Sequence, residues 1–181
     1  MGTDPLQHLS IDGLRSLDGL VADSSSIIYA NKAGFLLPLA QTVTLTAPPG
    51  VFEELDERIP PEAGLRYVER IRDNEAIYKG YKVDAQVIVA AGQMQLPVLS
   101  DDLGLLGRAA EHEIAGYTIR AMLELLLLRE RVDLETYTRF KRSLSELVRY
   151  AVPLYLAAEE LHWQIRKEIG EWSTGNSERA S

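Results

Sequence analysis

The sequence predicts an α/β fold: a three-layer α/β/α sandwich with a parallel sheet, followed by additional C-terminal helices. Three observations carry this. Short apolar or alternating runs at about 19–23, 42–47, 97–100 and 115–118 read as strands. Segments with apolar residues at helical spacing separate them, and strands that alternate with helices pair in parallel. Beyond residue 129 the pattern is helical only. In such sheets ligands bind outside the carboxyl ends of the strands, so the residues just past each strand are the ones to inspect.

Taken in order, residues 1–18 carry Leu6, Leu9, Ile11, Leu14 and Leu17 at loosely helical spacing and read as a short helix or arm. GLVAD (19–23) is a strand ending on an acid. Ser24, Ser25 and Ser26 follow, and Ile27, Ile28 and Ala30 begin a helix that stops at Gly34. Phe35 to Leu39 add one more turn. TVTLTA (42–47) alternates and is β-branched, as a strand should be. Pro48-Pro49-Gly50 ends it, and residues 51–55 start a helix with proline near its first turn. Residues 56–82 are polar and irregular, with Leu65, Val68 and Ile71 giving a short amphipathic piece. VDAQVIVAAGQM (83–94) is a buried helix, and PVLS (97–100) is a strand ending on Asp101-Asp102. Residues 103–113 are helical, 115–118 form another strand, and 119–128 and 134–169 are helical, with Pro153 kinking or breaking the last helix. STGNSERAS (173–181) is polar and reads as a disordered tail. The division is an arm (1–18), a sheet domain (19–128), a helical extension (129–172) and the tail.

Composition narrows the chemistry. A chain of 181 residues, 46% hydrophobic and 25% charged, is long enough to bury a core without staples. Cysteine is absent, which excludes disulfides, thiolate zinc sites and cysteine nucleophiles and favours a reducing compartment. His8, His112 and His162 are far apart, without zinc-ligand spacing. The net charge of −8 speaks against passive coating of nucleic acid. It leaves room for an enzyme whose acids hold metal ions. The greasiest run, 119–128, is interrupted by Arg120 and Glu124, and no apolar stretch reaches about 18 residues. MGTDPLQHLS has no secretory pattern. These readings predict a cytoplasmic protein without a membrane partner. No GxxxxGK loop or GxSxG elbow occurs.

The acids fall at one edge of the predicted sheet. Asp23 ends the first strand, Glu54 lies in the helix after the second, Asp84 opens the helix before the third, and Asp101 and Asp102 end the third. Carboxylates brought together repel unless a cation neutralises them. Oxygen-only ligands suit Mg²⁺ or Mn²⁺, and such a cluster suits metal-assisted hydrolysis of phosphodiesters. Each acid alone also reads as a helix cap, a dipole partner or a turn residue. Lys79, Lys82 and Arg108 are candidates for substrate phosphates, against ordinary surface charge. Arg139, Lys141, Arg142 and Arg149 form a basic helical stretch that reads mainly as a solvated face. Tyr150, Tyr155, His162 and Trp163 read as core or a dimer face rather than base-stacking groups.

In order and spacing, these segments resemble the PIN-domain nucleases. VADSSSIIYANKAG (21–34) resembles the family's opening strand, first Asp, following Ser/Thr and first helix. APPGVFEEL (47–55) resembles its second strand end and Glu-bearing helix. VDAQVIVAAGQMQLPVLSDD (83–102) resembles its Asp-bearing helix and the strand ending in Ser/Thr-x-Asp. The resemblance carries the family's acids onto Asp23, Glu54, Asp84 and Asp102, with Asp101 a neighbour, and its Ser/Thr positions onto Ser25 and Ser100. It implies Mg²⁺- or Mn²⁺-dependent cleavage of single-stranded RNA. Asp23, Asp84 and Asp102 would ligate the ion directly or through water. Glu54 would ligate it or orient the attacking water, and Ser25 and Ser100 would hydrogen-bond the ligands. A toxin role with an antitoxin-like partner is part of that implication.

The resemblance covers about 19–120. The polar middle insert, the Asp101-Asp102 pair and the helices after Arg129 depart from it. Two other function classes stand beside the ribonuclease: a non-catalytic PIN-like scaffold that binds RNA or protein, and a phospho-receiver domain. The receiver ranks third, because Asp23 is preceded by Ala22 and no lysine follows the strand at 115–118. Leu144, Leu147, Val148, Val152, Leu154, Leu156, Ala157, Leu161, Trp163 and Ile165 exceed what one docking helix needs. They predict a homodimer face, against docking on the domain's own core.

Overall fold

The computed structural model describes residues 9–56, 65–72 and 75–177. In chain order the elements are α1 (Ile11–Arg15), β1 (Gly19–Ala22), α2 (Ser24–Ala33), α3 (Leu36–Ala40), β2 (Thr44–Ala47) and α4 (Pro49–Asp56). A 3₁₀ turn (Leu65–Tyr67), β3 (Glu69–Arg70), α5 (Glu75–Tyr78), α6 (Val83–Met94), β4 (Val98–Leu99) and α7 (Leu103–Glu111) follow. The chain continues through β5 (Gly116–Tyr117), α8 (Ile119–Leu128), α9 (Leu134–Leu147) and α10 (Val152–Ser177). The arm at residues 1–8 and the Pro60-Pro61 and Gly64 region lie outside the described residues.

The five strands form one parallel sheet in the order β3-β2-β1-β4-β5. Central β1 pairs Leu20 with Leu45 of β2 and Ala22 with Leu99 of β4. All four residues of β1 are buried, as a strand covered on both faces requires. α6 packs on β1 and β4 and against α7. α2 packs with α3, α8 and α9, and α8 carries α10. This grouping fits three layers. The chain leaves β1 at Asp23 and β4 at Ser100, both at the carboxyl edge.

Two local signals are visible in the helices. Asp23 caps α2, and Gly34 ends it in the left-handed region at φ 89°, where a side chain would be strained. The small and aliphatic run 83–94 forms α6 within the expected bounds.

The structure corrects the sequence reading in two places and decides a third. A fifth strand, β3, lies in the stretch read as irregular; its two residues are exposed and polar, so no period marks it. At Pro153 the helical run 134–169 is broken rather than kinked. α9 ends at Leu147 and α10 starts at Val152, which puts Pro153 in the first turn, where its missing N–H costs nothing. α10 then continues through Ser177, so residues 173–177 are helical rather than a polar coil.

The apolar surplus of the C-terminal helices divides. Leu144, Leu154, Leu161 and Ile165 are buried. Leu147, Val152, Tyr155, Leu156 and Trp163 are exposed. One face therefore docks on the domain's own core and the other faces outward. Among the described residues no helix is long and apolar enough to cross a membrane.

Candidate functional site

The end of β1 delivers Asp23 to the carboxyl edge, where it is only 7% exposed. Its Oδ1 accepts the Ser26 N–H at 2.7 Å, the capping bond of α2. Its Oδ2 accepts the Ser100 hydroxyl at 2.5 Å. Burial pushes the Asp23 carboxyl up, against the pull of the Ser100 hydroxyl and the Ser26 N–H. Ser100 comes from the end of β4 and also accepts the Asp102 N–H at 3.0 Å. Ser25 lines a cavity of about 380 Å³ with Ile28, Tyr29 and Lys32.

Asp101, half-buried with its Oδ2 out of solvent, is the second acid of this corner. Its Oδ1 accepts the Ile119 N–H at 2.9 Å, which ties β4 to the start of α8. Burial pushes its carboxyl up to about 7 against that N–H, and the neighbouring Asp23 adds to the rise. Tyr150, from the connection between α9 and α10, faces Asp101. Its hydroxyl is pushed up by burial first and by Asp101 second. Three buried side-chain polar atoms gather here: Ser26 Oγ, Asp101 Oδ2 and the Tyr150 hydroxyl. The Ser26 hydroxyl acts on Asp23 and the Tyr150 hydroxyl on Asp101, each favouring the charged carboxylate.

The other sequence candidates are placed differently. Glu54 on α4 accepts the Ser24 hydroxyl at Oε2, which brings it to the start of α2 beside Asp23. Asp102 caps α7, accepting the Gly104 N–H at 2.6 Å and the Leu105 N–H at 3.0 Å. Asp84, in the first turn of α6, pairs through Oδ2 with Arg108 at 2.8 Å, both side chains about half exposed. Arg108 thus meets an acid of the expected set instead of standing open to a phosphate. Lys82 occupies the N-cap position of α6 without a capping bond. Lys79 lines a second cavity, near α4. Among the described residues no three of His, Asp and Glu converge closely enough to hold a metal ion. Asp23 and Asp101, neighbouring carboxyls without a paired cation among the described residues, are the donors whose chemistry fits a hard cation.

The sequence reading missed two features. One is Tyr150 over the acids, read as core or dimer face. The other is a buried network between α8, α9 and α10. Glu124, with no exposure, receives Arg120 Nε at 3.3 Å and the Tyr137 hydroxyl at 2.5 Å on Oε1. His162 Nδ1 lies 2.8 Å from Oε2. Arg120 also reaches Glu159 at 2.8 Å, which Lys141 joins at 3.2 Å. The Tyr137 and His162 rings stack at 5.2 Å. The signal was present: Arg120 and Glu124 break an apolar run four residues apart, on one helix face. Arg142 adds a long pair to Glu146 at 3.9 Å, and Arg139 lies over the Phe140 ring, as a solvated basic face would.

Set against known protein families and curated proteins, the chain matches no family model and no curated protein.

Proposed function

We propose that the chain is a metal-dependent endoribonuclease that hydrolyses phosphodiester bonds of single-stranded RNA, built on a PIN-like domain. The observation that supports this most is the Asp23–Asp101 pair at the carboxyl edge of a parallel sheet, two neighbouring carboxyls, both pushed up, with no cation paired to either among the described residues. In this reading Asp23 and Asp101 hold Mg²⁺ or Mn²⁺, with Glu54, Asp84 and Asp102 around them. The ion, when bound, supplies Lewis acidity and a water of lowered pKa. The chain's own residues do the rest. Ser100 fixes the Asp23 carboxylate, the Ile119 N–H fixes Asp101, and Glu54, held at the start of α2 by Ser24, orients the attacking water. The exposed Asp84–Arg108 pair opens at little cost, freeing Asp84 for the ion and Arg108 for a phosphate. The outward apolar face of α10 (Val152, Tyr155, Leu156, Trp163) is where a homodimer or an antitoxin-like partner would dock, in the cytoplasm.

A second reading is a non-catalytic PIN-like scaffold. Asp84 bound to Arg108, Asp102 used as a cap and Tyr150 laid over Asp101 favour it. End-labelled single-stranded RNA with Mn²⁺ decides. The nuclease reading expects cleavage by the natural chain and none by Asp23→Asn, whose asparagine still caps α2. RNA binding without cleavage in Mg²⁺ or Mn²⁺ would select the scaffold.

A further inference from the structure

A second cavity, of about 520 Å³, lies beside the acids but outside them. Its walls come from α4, the end of β3, the turn after α5, and α6. Glu53 lines it, and the next residue, Glu54, reaches the start of α2. One helix therefore separates the cavity from the acidic corner.

The cavity is a built frame. The Gln86 side chain is buried and joins two walls: Oε1 accepts the Gly50 N–H at 3.0 Å, and Nε2 donates to the Tyr81 carbonyl at 3.1 Å. At Gly50 a Cβ would stand 2.8 Å from Gln86 Oε1, so a side chain there would displace the Gln86 amide from this position. The turn it holds is Lys79-Gly80-Tyr81, with Gly80 at φ 90° and open space around it. That turn presents an exposed lysine and a tyrosine 52% exposed to the same cavity, with Arg70 on the opposite wall.

We propose that this cavity is a subsite for one unpaired nucleotide of the RNA strand, next to the acidic centre. The inference rests on the ribonuclease reading given above. A cavity of this size is in the range that small ligands fill, roughly 300–1,000 Å³. A cation answers a phosphate, and an exposed aromatic ring answers the face of a base that is free of a duplex. The Gln86 amide is buried and spends its bonds on joining the two walls, so the groups the cavity offers a nucleotide are the Tyr81 ring and the cations. Recognition is by stacking and charge, and it is tolerant of base identity.

The test is fluorescence anisotropy of labelled octauridylate with the full chain in EDTA, so that binding is read without cleavage. Tyr81→Ala leaves the Tyr81 backbone bonds in place and is expected to weaken binding by roughly 5- to 150-fold, the range for loss of one base–aromatic stack. Lys79→Ala is expected to flatten the salt dependence by about 0.7 in slope, one phosphate contact on a single strand. Octaadenylate is expected to lose as much as octauridylate. Thermal melts confirm that both variants fold. Unchanged affinity and salt slope in both variants, with RNA still bound and cleaved in Mn²⁺, overturns the subsite and leaves the nuclease reading standing. Binding that depends on Tyr81, with no cleavage in any metal, keeps the subsite and overturns the nuclease. No binding of single-stranded RNA by the natural chain overturns the subsite.

Discussion

Two buried polar centres sit within this domain, and they are balanced in opposite ways. Between α8, α9 and α10, Glu124 is fully buried, and both its oxygens are met by Arg120, Tyr137 and His162. At the carboxyl edge of the sheet, Asp23 is buried and Asp101 half-buried beside it, held by hydroxyls and backbone N–H groups but, among the described residues, by no cation. Burial is common to both; compensation is not. A satisfied network fastens helices together, whereas an uncompensated pair leaves work for something that arrives from outside.

The largest effect comes from unbalancing the satisfied centre. Arg120→Met leaves Glu124 and Glu159 short of their shared guanidinium, and removing one partner of a buried ion pair typically costs about 3–5 kcal/mol. Urea denaturation reads this directly. A loss under about 1 kcal/mol would mean that His162 and Lys141 carry the network without Arg120.

The next effect is a pH dependence at the sheet edge. The Asp101 carboxyl is pushed up to about 7 in the fold, against an ordinary value of 3.8 in the unfolded chain. The native state therefore keeps a proton that the unfolded chain gives up. This contribution to stability is complete below the ordinary value, falls as pH rises through the window, and is gone above about 7. Asp101→Asn should abolish that fall, so the variant and the natural chain diverge most above neutrality. Mn²⁺ should oppose the fall in the natural chain alone. Parallel stability–pH curves for the two proteins would contradict the placement of Asp101.

Tyr150→Phe has the smallest effect. Its buried hydroxyl acts on the Asp101 carboxyl as a hydrogen-bond donor, so its removal should cost about 0.5–1.5 kcal/mol. Unchanged or raised stability in thermal melts would show that the hydroxyl does not hold Asp101.

The two centres also differ in how far they can be read from the sequence. Asp23 and Asp101 are legible because each directly follows an apolar strand, and the topology of a parallel sheet brings strand ends together. The bounds of α6 are legible because small and aliphatic residues dominate it and Pro97 closes the stretch beyond it. β3 is not, since Glu69 and Arg70 are held by pairing with Thr46 and Ala47 and not by any pattern of their own. Asp102 and Asp84 match the motif as well as Asp23 does. Their partners, the α7 backbone and Arg108, come from local capping and from a helix pair that spacing does not reveal. Tyr150 lies far from Asp101 in the chain, and only the docking of α9 and α10 brings the two together. The helix network gave a trace of itself in the Arg120 and Glu124 interruption, but its partners on two other helices left none.

The central claim is that the uncompensated acids take a hard divalent cation. Isothermal titration of Mn²⁺ into the natural chain, Asp23→Asn and Asp101→Asn, with the fold of each verified by thermal melts, tests it most directly. The account predicts saturable binding by the natural chain and at least about a tenfold loss, ~1.4 kcal/mol, in each variant. Equal Mn²⁺ affinity in all three proteins, or no binding by the natural chain, would contradict it.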